Sequence, residues 1–196
     1  MTGEGAEKIG APDAIGPWAA RAAAEIVAPL AQVAGPECDA FIAAIDGARR
    51  IALHGVGREG LMMRALAMRL FHLGLDAHVV GDMTTPPLAA GDLLIASAGP
   101  GHLATVGGYM QVARRAGARV ALLTAQADAA LRPAADLVLV IPARTMAQHE
   151  AASAVLPMGS AFEAAQFLLA EYVVAALRHR RGIAEDAMRA RHTNLE

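Results

Sequence analysis

The stretch LLIASAGPGHLATV, residues 93–106, decides the fold. It opens as an apolar run of strand length, without helical spacing, and reads as a strand buried on both faces. Glycines at 99 and 101 end the strand, and the residues after them open a helix closed by Gly117. Strand, glycine turn and helix in that order make up part of a parallel βαβ unit. The two glycines leave backbone amides at the start of the helix, an arrangement suited to an anion. Pro100 withholds one amide from it.

The same alternation extends outward. RIALHGVG (50–57), DAHVVGD (76–82), ARVALLTA (118–125) and ADLVLVIPA (135–143) read as short strands. Residues 58–74, 102–117 and 160–182 read as helices, each closed by a glycine. Ser160 is the expected N-cap of the last, with Glu163 completing a capping box. Two helices come before any strand. One covers 18–33, where Pro29 predicts a kink or break. The other starts at 36, with Pro36 in its first turn and Gly47 at its end. The pattern predicts an α/β chain with a parallel sheet covered on both faces. Ligands of such sheets bind beyond the carboxyl ends of the strands, which singles out the loops at 55–60, 81–87, 98–102 and 124–128. Residues 1–17, rich in Gly, Pro and charge, predict a flexible leader, and 18–196 a single domain.

Bulk properties narrow the function. The 196 residues are 55% hydrophobic and 18% charged, enough apolar material for a sizeable core. A net charge of −2 and 4% aromatic residues argue against a nucleic-acid partner. The single cysteine, Cys38, allows no disulfide within the chain. No apolar run reaches the roughly 18 residues of a membrane span, and the first residues do not form a signal peptide. The expectation is a cytoplasmic protein with no membrane partner.

Four places carry candidate chemistry. HGVGREG (54–60) has glycines at 55, 57 and 60, the spacing of a dinucleotide fingerprint. No acidic residue with a clear ribose role follows, Asp82 being the nearest. GDMTTPP (81–87) presents Thr84 and Thr85 in a stiff turn. The third is the opening stretch itself. The fourth is a pair, Glu163 in the first turn of the last long helix and His192 in the polar tail. Histidines 54, 72, 78 and 102 have no recognised ligand spacing. His54, His102 and Glu59 are the three that adjacent strand ends would bring together, but no metal is expected.

These segments, in this order, resemble the sugar isomerase (SIS) domain family, and within it the 6-phospho-3-hexuloisomerase subgroup. The resemblance rests on GVGREGLMMRALAMRLFHLG, VVGDMTTPP, GDLLIASAGPG, LPMGSAFE and the terminal RARHTNLE. It implies a three-layer α/β/α sandwich with a five-stranded parallel sheet, the two N-terminal helices serving assembly. It implies dimers or tetramers with sites at subunit interfaces, and isomerisation of a sugar or sugar phosphate through an enediol without metal or organic cofactor. On this resemblance Glu163 matches the base and His192 the acid or ring-opening group. Arg58 matches the arginine of the first glycine loop, and Thr84 and Thr85 the threonines of the second. Gly57, Glu59, Ser97, Gly99, Gly101 and His102 complete the expected substrate contacts.

The sequence departs from the family where the substrate phosphate is held. The family loop reads Ser-Gly-Ser-Gly, one residue, Thr. This chain has Ala98, Gly99, Pro100, Gly101, His102, Leu103. Ser97 falls one position early and is expected on the opposite side of its strand. Glu59 replaces a family serine. Each change disfavours a dianion, although His102 and Arg58 offer compensation. Three readings follow: an isomerase of a phosphorylated ketose, an isomerase of a sugar without phosphate, or a non-catalytic sugar-binding or regulatory module.

Overall fold

Residues 93–97 form the central strand of a five-stranded parallel sheet. The structure is a computed structural model and describes residues 14–148 and 154–195. The elements are α1 (Ile15–Leu30), α2 (Gly35–Asp46), β1 (Ile51–His54), α3 (Gly57–His72), β2 (Ala77–Val79), β3 (Leu93–Ser97), α4 (Ala104–Arg115), β4 (Arg119–Thr124), β5 (Leu137–Val140), α5 (Ser160–Arg181) and α6 (Glu185–Arg189).

Strand order is β2-β1-β3-β4-β5, with Leu93 opposite Ile51 on one side and Arg119 on the other. Side chains alternate between two cores. Ile51, Leu53, Leu93, Ile95, Leu123 and Leu139 face α2, α3 and α5. Ala52, Leu94, Ala96, Val120 and Leu122 face α4, against Val106 and Met110. Both faces are therefore apolar, which is why β3 carries no polar residue before Ser97. The outcome is the expected three-layer α/β/α sandwich, with α1 packed on α5.

Three local expectations change. Helix α1 starts at Ile15, inside the stretch read as a leader, and Pro29 sits in its last turn rather than breaking it. Residues 1–13 of that leader lie outside the described residues. Helix α5, at 22 residues, has the length and apolarity of a membrane span, contrary to the sequence reading. Its buried face, including Phe162, Ala165, Leu169, Val173 and Leu177, packs into the core, so it is the core helix of the sandwich.

The strand order matters for function. The connection from β1 leads to one side of the sheet at β2, and the chain then returns past β1 to β3. The loops after β1 and β3 thus part at a topological switch point, where this class of sheet opens a crevice.

Candidate active site at the sheet switch point

Helix α5 enters the site through an unusual turn. Met158 has φ 52° and Gly159 φ 80°, two successive left-handed residues, the first of them not a glycine. The turn aligns three groups on Arg58, which arrives from the first turn of α3. Arg58 Nε and Nη2 lie 3.3 and 3.2 Å from Glu163 Oε1. Nη1 donates to Ser160 Oγ at 3.0 Å, and Nη2 donates to the Met158 carbonyl. The expected capping box is therefore absent. Gly159 is the N-cap and has no side chain to cap with, while Ser160 donates to the Pro157 carbonyl at 2.8 Å. Arg58 takes the carboxylate that would have closed the box.

Glu163 keeps one oxygen uncommitted. Its side chain is only 14% exposed, and buried Oε2 has no hydrogen-bond partner among the described residues. It lines a cleft of about 510 Å³ together with Arg58, Ser160, Ile26, Leu61 and Phe167. The segment leading into α5 is fastened from α1, where Glu25 accepts from the amides of Val155 at 2.7 Å and Leu156 at 3.1 Å.

Glu59, next to Arg58 on α3, turns inward. Its carboxylate accepts from the Gly99 amide, at 2.9 Å to Oε2 and 3.1 Å to Oε1, and from the Ser97 hydroxyl. Ser97 Oγ in turn accepts from Gln166 Nε2 at 2.9 Å. Glu59, Ser97 and Gln166 are 7%, 0% and 1% exposed. Burial raises the Glu59 carboxyl pKa above its ordinary value. The Ser97 and Gly99 hydrogen bonds pull it down, and the Glu163 charge adds to the rise. Gly99 has no room for a side chain, since a Cβ would sit 2.8 Å from the Phe162 ring and 3.0 Å from Glu59 Oε1.

This network corrects the reading of three residues. Ser97 does point away from α4, as its register predicted, but it is sealed between Glu59 and Gln166 and contacts no ligand space. Glu59 and Gly99 are hydrogen-bonded to one another. Gln166 was not anticipated at all. Its one signal was its position three residues after Glu163, which places it beside Glu163 on the helix surface.

The remaining candidates divide. Gly57 opens α3 in the left-handed region and Gly101 turns the β3–α4 loop, its amide donating to the Ala98 carbonyl at 2.8 Å. His102 is exposed on that loop and its Nδ1 donates to the Pro100 carbonyl at 2.9 Å. Thr85 donates to the Val79 carbonyl at 2.6 Å and so serves its own turn. Thr84 is exposed, and both threonines line a hollow at the β2 edge with Arg64, Phe71 and His78. They do not join the Arg58–Glu163 cleft.

His54 projects to the opposite face of the sheet from Glu59. Its ring lies 4.5 Å from that of Tyr109, burial lowers its pKa, and buried Nε2 has no hydrogen-bond partner among the described residues. His54, His102 and Glu59 therefore do not converge. Among the described residues no three metal-ligating side chains form a group.

His192 lies elsewhere. Its ring is 5.2 Å from that of His72, at the far end of α3, beside a cavity of about 410 Å³ lined by Arg69, Glu171 and Arg178. Helix α3 has 16 residues and so spans about 24 Å, with Arg58 at one end and His72 at the other. One chain does not bring Glu163 and His192 together.

The model of the SIS domain family matches residues 44–167, from the end of α2 into α5. The chain belongs to the SIS domain family. Its relatives narrow the placement. A 3-hexulose-6-phosphate isomerase of Mycobacterium gastri is 40% identical over 147 residues, 75% of this chain and 74% of that one. Another, of Bacillus subtilis, is 34% identical over 167 residues, 85% of this chain and 90% of that one. A crystal structure from Methanococcus jannaschii, described as inferring a 3-hexulose-6-phosphate isomerase function, superposes with a TM-score of 0.74. It is 30% identical and covers 82% of this chain and 86% of its own. This SIS domain thus falls in the hexulose-phosphate isomerase-like subgroup and is an isomerase by kinship.

Proposed function

We propose that this SIS domain isomerises a sugar by moving a proton between neighbouring carbons, with Glu163 as the base. The observation that carries this is the division of labour within one carboxylate. Oε1 is held by Arg58, while Oε2 is buried without a partner. A base needs a fixed geometry and an oxygen not committed to another donor, and this arrangement supplies both. Ile26, Leu61 and Phe167 provide apolar walls that limit water around it.

The chemistry balances without an electron carrier. Glu163 Oε2 takes the proton from the carbon beside the carbonyl. The freed electron pair becomes the double bond of an enediol as the carbonyl oxygen gains a proton from an acid. Glu163 then returns the proton to the former carbonyl carbon, while the hydroxyl on the first carbon gives its proton back to the acid and becomes the new carbonyl. No metal or organic cofactor is required for these steps. Arg58, Gly57, Gly101 and His102 are the substrate contacts of this reading.

His192 is proposed as the acid or ring-opening group, supplied by a second copy of the chain. Two observations support it. The histidine is remote from Glu163 within one chain, and Leu61, Phe167 and Leu168 are exposed on α3 and α5 around the cleft. Their apolar surface suits a dimer or tetramer with the site at the interface. The names of the relatives support a sugar phosphate as the parent substrate.

A second reading, a sugar-binding module without turnover, is favoured by the filling of the Gly99 amide by Glu59. Incubation with ketoses and ketose phosphates in D₂O separates the two. The isomerase reading expects deuterium at the carbon next to the carbonyl, seen by NMR, and its loss in Glu163→Gln. No incorporation from any of these sugars would leave the binding module.

A further inference from the structure

We infer that Glu59 is a built-in occupant of the anion seat between the two switch-point loops, and that the site consequently selects a ketose without a phosphate at this position. The substrate half of this inference rests on the isomerase reading above. The binding half does not.

The geometry excludes a conventional role for this glutamate. A first-turn carboxylate ordinarily stays at the surface near its own helix N-terminus. Glu59 instead crosses from α3 to the β3–α4 loop, is buried, and accepts from the Gly99 amide with both oxygens. That is the way two oxygens of a ligand anion would engage the same amide.

Several donors of this loop are already assigned. The Gly99 amide and the Ser97 hydroxyl go to Glu59. Pro100 has no amide hydrogen, and the Gly101 amide goes to the Ala98 carbonyl. His102 Nδ1 goes to the Pro100 carbonyl. The space is taken as well, because Gly99 lies directly against Phe162 and Glu59. This holds whether or not the Glu59 carboxyl carries a proton.

Charge points the same way. Among the described residues, Arg58 is the guanidinium paired with Glu163. Ionised Glu59 and Glu163 then outnumber it, so a phosphate dianion would be repelled by two carboxylates. A neutral hydroxyl carries no such penalty. The relatives are named for a phosphorylated ketose, so this seat marks a divergence in substrate rather than in chemistry.

The test titrates inorganic phosphate into the full chain and into Glu59→Ser, following the Gly99 amide by ¹⁵N NMR and the affinity by calorimetry. The expected result is an unresponsive Gly99 amide in the wild type. Phosphate binding should be about tenfold or more tighter in Glu59→Ser, with the Gly99 amide shifting. Equal phosphate affinity in the two proteins overturns the inference. Should Glu59→Ser not fold, the wild type alone decides, through kcat/KM for a ketohexose with and without a 6-phosphate. A preference for the unphosphorylated sugar is expected, and a preference for the phosphate ester overturns the inference. If neither sugar is turned over, the isomerase reading fails, while the Gly99 response of the wild type to phosphate still decides the role of Glu59.

Discussion

Arg58 and Glu163, 105 residues apart in the chain, meet at 3.2 Å where the first turns of α3 and α5 converge. The contact uses one carboxylate oxygen, and the other is buried without a hydrogen-bond partner among the described residues. Replacing Glu163 by Gln keeps an oxygen for Arg58 and removes the base. Turnover should fall by about 10²–10⁴-fold, with circular dichroism and oligomeric state unchanged. Full activity in this variant would refute Glu163 as the base.

The separation of Glu163 from His192 gives a second prediction. Glu163→Gln and His192→Ala should each be inactive alone. When the two are mixed and allowed to exchange subunits, some sites receive an intact residue from each copy. Activity should then return in part. Two variants that exchange subunits and remain inactive would show that the site is not shared.

A buried and a half-buried titratable group predict opposite pH slopes. The Glu59 pKa is raised in the folded chain, so its stabilising contribution is complete below the ordinary carboxylate range. It is lost as pH rises through the raised value. The His54 pKa is lowered, so the unfolded chain takes up the proton first, and stability falls as pH drops below the ordinary imidazole range. In melting curves taken across pH, Glu59→Gln should flatten the loss on the upper side. His54→Phe should flatten the loss on the acid side. An unchanged pH profile in either variant would contradict the assigned burial.

Gly99 offers a test of packing. Gly99→Ala places a methyl group against Phe162 and Glu59. Overpacking of this kind costs about 1–3 kcal/mol, read as a lower urea midpoint with an unchanged slope. A neutral result would mean that the loop shifts freely.

Much of the architecture was legible in local chemistry. Glycines at 47, 74, 117 and 182 marked the helix ends, and the apolar runs marked the strands. What escaped depended on distant partners. The Ser160–Glu163 spacing is a sound capping box until a guanidinium from α3 competes for it. Glu59 reads as a substrate contact until the end of β3 and the loop after it supply Ser97 and Gly99. Gln166 lies in an ordinary amphipathic helix, and only the strand beneath reveals it as part of a buried chain of hydrogen bonds. Thr84 and Thr85 were drawn toward the site by resemblance, whereas the short β2 carries them to the sheet edge.

Glu25 sets a lower limit on how small a working fragment can be. The family-matched stretch begins at residue 44, so trimming to it discards the helix whose carboxylate braces Val155 and Leu156. It also cuts α5 at residue 167 and removes the tail with His192. Such an excised piece would retain the sheet but lose the strut that aims the Glu163 turn. The stretch matched by the family model thus leaves out the helix that braces the segment before α5.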